Sequence, residues 1–211
     1  MHRLNTTLSI AALVGLMVAA PARAQEQSRF GVDASEWDST TVPVANVIIP
    51  VGGSGQVNGQ FVTGERYGVQ VGIRAQERFA GPTMPVTRAK QVGVYQAATG
   101  VSDGSGRARW NYDLHVDLRN AQGVAADKTL GDYSLVIDSD IGPTFFGCPF
   151  PCEFGVSQPS TLKVYQTSLN PKFGNLTFNA MTPDSYFFTL TLTPKTFNGP
   201  SITARMRVDV Q

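Results

Sequence analysis

The sequence predicts an all-β protein, an antiparallel β-sandwich of Ig-like or jelly-roll-like kind with about ten strands. Three observations carry that expectation. Several windows alternate apolar and polar residues with a period of two, and none shows the 3.6-residue apolar period of an amphipathic helix. Turn chemistry sits between these windows: Gly52-Gly53-Ser54-Gly55, Asp103-Gly104-Ser105-Gly106, Gly142-Pro143 and Pro183-Asp184. Each window keeps one polar face, the pattern of antiparallel sheets with one side in water.

In chain order, strands are expected at Val44–Ile49, Gln60–Thr63 and Val69–Ala75. In the last, Val69, Val71, Ile73 and Ala75 alternate with Gln70, Gly72 and Arg74. Val92–Gln96 follows, then Trp110–Arg119, the clearest of all. There Trp110, Tyr112, Leu114, Val116 and Leu118 share one face, and Asn111, Asp113, His115, Asp117 and Arg119 the other. Tyr133–Asp138, Leu162–Gln166 and Leu176–Asn179 are weaker strands. Tyr186–Thr193 turns Tyr186, Phe188, Leu190 and Leu192 inward, and Ser201–Val210 does the same with Ile202, Ala204, Met206, Val208 and Val210. Asn198-Gly199 between these two is a hairpin signal.

Length and composition fit one such domain. The chain has 211 residues, 42% hydrophobic, which excludes a disordered chain. Only 16% are charged and the net charge is +1, so no bulk electrostatic argument points to nucleic acid or to an anionic membrane. Arg107-Ala108-Arg109-Trp110 is too short for a nucleic-acid patch, and the glycine runs lack the G-K-[ST] ending of a phosphate cradle.

The first segment reads as an address. His2 and Arg3 open it, Leu8 to Ala20 runs without a charge, and Ala22-Arg23-Ala24 supplies a small-x-small cleavage site. The expectation is a signal peptide over 1–24, a flexible lead-in over 25–39, and a single sandwich domain over 40–211. The apolar run is short for a membrane span, and none of that length follows. The product is therefore expected in the periplasm or outside the cell, without a membrane span after cleavage.

That compartment bears on Cys148 and Cys152, the only cysteines. An oxidising environment favours a disulfide between them, worth about 2 kcal/mol by loop entropy. A metal site would need further ligands, and beyond the leader the chain holds one histidine, His115.

Gly68-Val69-Gln70-Val71-Gly72-Ile73-Arg74-Ala75-Gln76-Glu77-Arg78-Phe79 and Trp110-Asn111-Tyr112 belong to a set of motifs. The set continues in Leu130-Gly131-Asp132-Tyr133-Ser134-Leu135-Val136-Ile137-Asp138, and in Pro183-Asp184-Ser185-Tyr186 through Val210. By these motifs the chain, from Tyr67 onward, resembles a set of bacterial secreted proteins related to PEP-CTERM surface proteins. The resemblance implies an extracytoplasmic β-sandwich near exopolysaccharide and biofilm functions, and no catalytic residue to carry over. The sorting tail is expected to be absent, since the sequence closes on Val208-Asp209-Val210-Gln211 in a strand.

Four places carry candidate chemistry. Gly100-Val101-Ser102-Asp103-Gly104 matches a nucleophile elbow, but a strand rather than a helix follows, so a hairpin-type loop is expected. Asp113, His115 and Asp117 share a strand face, where a carboxylate pair for glycoside hydrolysis or a cation site would lie. The plainer expectation is a solvated face with His115 at the surface and Arg205 or Arg207 as cross-strand partners. Asp138 and Asp140 flank a turn that could take Ca²⁺, although an EF-hand's third oxygen and distal Glu are missing. Phe145, Phe146, Phe150 and Phe154 crowd the cysteine loop, either stacking on sugar rings or plugging the core.

The resulting expectation is an exported, non-enzymatic structural or binding module at the cell surface or in the periplasm. Its partner would be an extracellular polysaccharide or a surface protein, with no cofactor beyond a weak case for Ca²⁺. The alternatives are a polysaccharide-acting enzyme built on Asp113 and Asp117, and a carbohydrate-binding module using the aromatic cysteine loop.

Overall fold

The computed structural model describes residues 41–44, 59–78, 81–82, 87–89, 92–142, 144–145, 148–153, 161–173 and 177–211. The expected signal peptide and lead-in lie outside these residues, as do Phe146 and Phe154.

The fold is an all-β sandwich of two large sheets. The first runs β1 (Thr41–Val44), β2 (Gly59–Arg66), β3 (Val69–Glu77), β7 (Trp110–Asp117), β12 (Val164–Leu169), with β4 (Gly81–Pro82) added to β3. The second runs β11 (Cys152–Glu153), β8 (Tyr133–Ser139), β13 (Asp184–Pro194), β14 (Ile202–Val210), β6 (Val92–Ala97), β5 (Thr87–Ala89). β9 (Thr144–Phe145) and β10 (Cys148–Pro149) form a small ribbon beside them. Pairing is antiparallel throughout the described residues except for β6, which lies parallel to β14. Leu176–Asn179 does not form the expected strand over its described part. Phe178 is buried there, and the Asn179 side chain accepts the Met181 amide in a turn.

The inward faces are those the alternation predicts. Tyr112, Leu114, Val116, Phe188, Leu190, Leu192, Met206 and Val208 are all buried. The Trp110 ring stacks near Tyr186, and Tyr112 lies 4.8 Å from Phe188, so aromatic side chains from both sheets meet in one core. In the second sheet the opposite face stays part-exposed: β8 and β14 alternate buried and intermediate residues along their whole length. In the first sheet it does not. Every residue of β7 is buried, on both faces.

The sheets approach closely at one place, set by glycine. A Cβ on Gly64 of β2 would collide with the main-chain carbonyl of Thr203 on β14, and one on Gly93 of β6 would collide with the Val62 side chain. A methyl at Gly64 meets rigid backbone rather than a side chain that can turn aside. Gly64→Ala is therefore expected to force the sheets apart and to lower stability by about 1–3 kcal/mol, as overpacked cores do. Urea denaturation measures it, and an unchanged midpoint would mean that the two backbones are not held so close.

Candidate functional site

The central strand β7 was expected to present Asp113, His115 and Asp117 to water. The structure corrects this: Asp113 and His115 are fully buried and Asp117 nearly so. Arg205 and Arg207 are not their partners, because both sit on β14 in the other sheet. The neighbours of β7 are β3 on one side and β12 on the other. Arg74 of β3 and Ser168 of β12 stand opposite Asp113, and Gly72 and Gln166 stand opposite His115.

This register builds a polar layer. Arg74 Nε donates to Asp113 Oδ2 at 2.6 Å, with both side chains sealed from solvent. Gln76 Nε2 donates to Asp113 Oδ1 at 3.1 Å and lies 3.2 Å from Ser168 Oγ. Asn111 Nδ2 donates to the same hydroxyl at 3.0 Å. Asn170 continues the layer. Its Nδ2 donates toward the carbonyls of Ala108 and Trp110 and toward Asn111 Oδ1, while its Oδ1 accepts the amides of Ala108 and Lys172. These bonds tie β3, β7 and β12 in one register, while the Gln76 Oε1 atom is buried without a hydrogen-bond partner among the described residues.

Phe61 lies across the layer. Its ring is 4.4 Å from the Arg74 guanidinium carbon and 5.3 Å from the His115 ring. Gly72, between Arg74 and Gln70 on the same strand, leaves the space that Phe61 uses, since a Cβ there would press on the Phe61 side chain at 3.1–3.3 Å. Neither ring nitrogen of His115 has a partner among the described residues. Burial pushes its pKa down to about 4, with the Asp117 carboxylate opposing that shift. Desolvation pushes the Asp113 carboxyl up, against the downward pull of Arg74 and of the hydrogen bonds to it. Asp117 is tied to Arg119, whose main-chain and side-chain N–H groups donate to it, and its pKa is lowered.

A glycosidase carboxylate must reach a glycosidic oxygen. Asp113, sealed and ion-paired, does not meet that requirement. No group of three or more metal-ligating side chains occurs among the described residues.

The other candidates fall as follows. Gly100–Gly106 is a hairpin-type loop closed by a Val101–Ala108 bridge, and the Asp103 side chain caps the Ser105 amide. Ser102 Oγ accepts a hydrogen bond from Arg78 and donates to the Arg107 carbonyl, so among the described residues its proton goes to the main chain rather than to a histidine base. Asp138 accepts the Ser139 amide and Asp140 the Phe187 amide at 2.7 Å, so both carboxylates serve the backbone at this turn.

Cys148 and Cys152 form the expected disulfide. Cys152 is buried and pairs through β11 with Ile137 of β8, which ties the loop to the edge of the second sheet. Phe150, between the cysteines, is part-buried and packs against the main core. Phe145 stands in β9 opposite Cys148. Reduction is expected to lower stability by about 2 kcal/mol while melting stays cooperative. A Cys148→Ser/Cys152→Ser variant measured by calorimetry checks this, and a loss of the whole fold would mean that the bridge holds far more than its loop.

Sequence reading missed Arg74, Gln76, Asn170 and Phe61 as members of this layer. The available signal was polar residues at alternate positions of two strands, on the face opposite their apolar sets.

The fold and the sealed layer together define an all-β, disulfide-bonded sandwich domain. No protein-family model and no curated protein matches the chain. Among solved structures, the soluble domain of PmoD from Methylocystis sp. is similar at 12% identity and a TM-score of 0.30, covering 69% of this chain and 96% of that domain. A score that low carries no assignment.

Proposed function

We propose that this protein is an exported, non-enzymatic β-sandwich acting as a structural or binding module at the cell surface or in the periplasm. The observation that carries the non-enzymatic part is the burial of Asp113 against Arg74, which withdraws the strand face that would have held a carboxylate pair. Export draws support from the Cys148–Cys152 bridge, which persists in oxidising compartments, and from the leader-like segment ending at Ala24. No helix among the described residues is long and apolar enough to cross a membrane. The resemblance to secreted surface proteins fits the same reading.

Expression in a Gram-negative host, followed by fractionation and N-terminal sequencing, tests export. The expected product starts at Gln25, lies outside the cytoplasm and has no free thiol. A cytoplasmic chain with two reactive thiols would overturn it. Depolymerisation of a polysaccharide, lost on Asp113→Asn, would overturn the non-enzymatic part.

A further inference from the structure

Asn198-Gly199 carries the sequence signature of a type I′ hairpin turn between β13 and β14, but the chain does not use it as one. The connection covers residues 195–201, and neither Asn198 nor Gly199 has the positive φ that such a turn requires. The two ends of the connection are anchored instead. The Lys195 amide donates to the Asp132 carbonyl at 2.8 Å, and the Thr196 hydroxyl donates to Asp132 Oδ1 at 2.6 Å. Phe197 packs edge-on against the Tyr133 ring at 5.3 Å. At the far end the Ser201 hydroxyl pairs with Thr193 Oγ1 at 2.9 Å. Between these anchors Asn198 and Gly199 are exposed, and neither makes a hydrogen bond among the described residues.

The other described asparagines are held. Asn111 and Asn170 are buried in the polar layer. The Asn179 side chain accepts the Met181 amide. Asn120 is exposed, but the amide that follows it, on Ala121, donates to the Leu118 carbonyl at 3.1 Å. This difference has a chemical consequence. The main-chain nitrogen after an asparagine can attack the side-chain amide when that nitrogen is unengaged and no Cβ obstructs ring closure. Gly199 meets both conditions, and a Cβ there would stand 3.1 Å from the Phe197 ring.

We propose that Asn198 is a self-modification site, converted in the folded protein to aspartate and isoaspartate. Gly199 N forms a bond to Asn198 Cγ. The bond from Cγ to the side-chain nitrogen breaks, and that nitrogen leaves as ammonia with the proton from Gly199 N. Water then opens the succinimide ring. Addition at Cγ gives aspartate. Addition at the Asn198 main-chain carbonyl gives isoaspartate, whose main chain runs through Cγ and is longer by a carbon. Either product puts a carboxylate into a loop where Lys195 is exposed and the Lys128 ammonium lies 5.3 Å from the Phe197 ring.

The test incubates the full chain in warm, mildly alkaline buffer, both folded and in guanidinium chloride, with tryptic mass spectrometry at intervals. The peptide 196–205 is expected to gain about 1 Da and to separate into two isomers. Its rate in the folded protein should lie within about ten-fold of the rate in denaturant, since the fold engages neither reacting group, and at least about ten-fold above the rates at Asn120 and Asn179. Gly199→Ala should slow the reaction by about ten-fold in both states, so the result does not depend on that variant folding. A folded-state rate more than about ten-fold below the denatured one would overturn the site. So would modification at Asn120, or at Asn58 of the other Asn-Gly pair, with Asn198 intact.

Discussion

Arg74→Met is expected to cost about 3–5 kcal/mol of stability, among the largest effects of any single change in this fold. The carboxylate of Asp113 would remain fully buried and lose the guanidinium that faces it at 2.6 Å. Gln76 would still donate to it, but a neutral amide does not offset a buried charge. The Phe61 ring would also lose the cation above it. The double variant Arg74→Met/Asp113→Leu is expected to recover most of the loss, because a buried ion pair replaced by apolar groups of similar volume is often neutral or stabilising. Urea denaturation of the two variants distinguishes the cases. A single variant within about 1 kcal/mol of the wild type would mean that the pair is not desolvated as described.

Acid is expected to destabilise the fold through His115. Its folded pKa, held down at about 4 by burial, lies below its ordinary value of 6.5. The unfolded chain therefore takes up a proton before the folded one does. Stability from this group is full above about pH 6.5 and falls as the pH drops from there to about 4, by about 3 kcal/mol in all. Asp117, whose folded pKa is lowered by its bonds to Arg119, adds loss at lower pH. Asp113 acts in the opposite sense: its raised pKa means that protonation relieves a burial cost as the medium becomes acidic. His115→Leu should remove the loss of stability between pH 6.5 and 4, leaving the opposite trend from the raised Asp113. A His115→Leu profile with the same slope as the wild type across that range would show that His115 is not a buried neutral imidazole.

Much of the fold is legible along the chain because a strand's side-chain period is local. Trp110 to Val116 and Ile202 to Val210 declare their inward faces by alternation alone, and those residues are buried. The cysteine bridge is legible for a similar reason, since Cys148 and Cys152 are near in sequence and have no competitor. Phe178 shows where local reading stops. Its apolar neighbourhood suggests a strand, yet it fills the core from an irregular segment, against Trp110 at 6.3 Å.

The sequence by itself determined the class of fold, the inward set of each long strand and the disulfide, all of which depend on spacing between near neighbours. Only the tertiary structure decided what the polar face of β7 does. Asp113 reads as a solvated carboxylate until β3 is laid beside β7 and Arg74 comes opposite it, 39 residues away in the chain. The same holds for Gly64 and Gly93, whose need for a missing side chain arises from the other sheet. Alternation separates two faces but does not say which of them meets water. That depends on which strands pair and what lies over them, and those contacts join residues far apart in sequence.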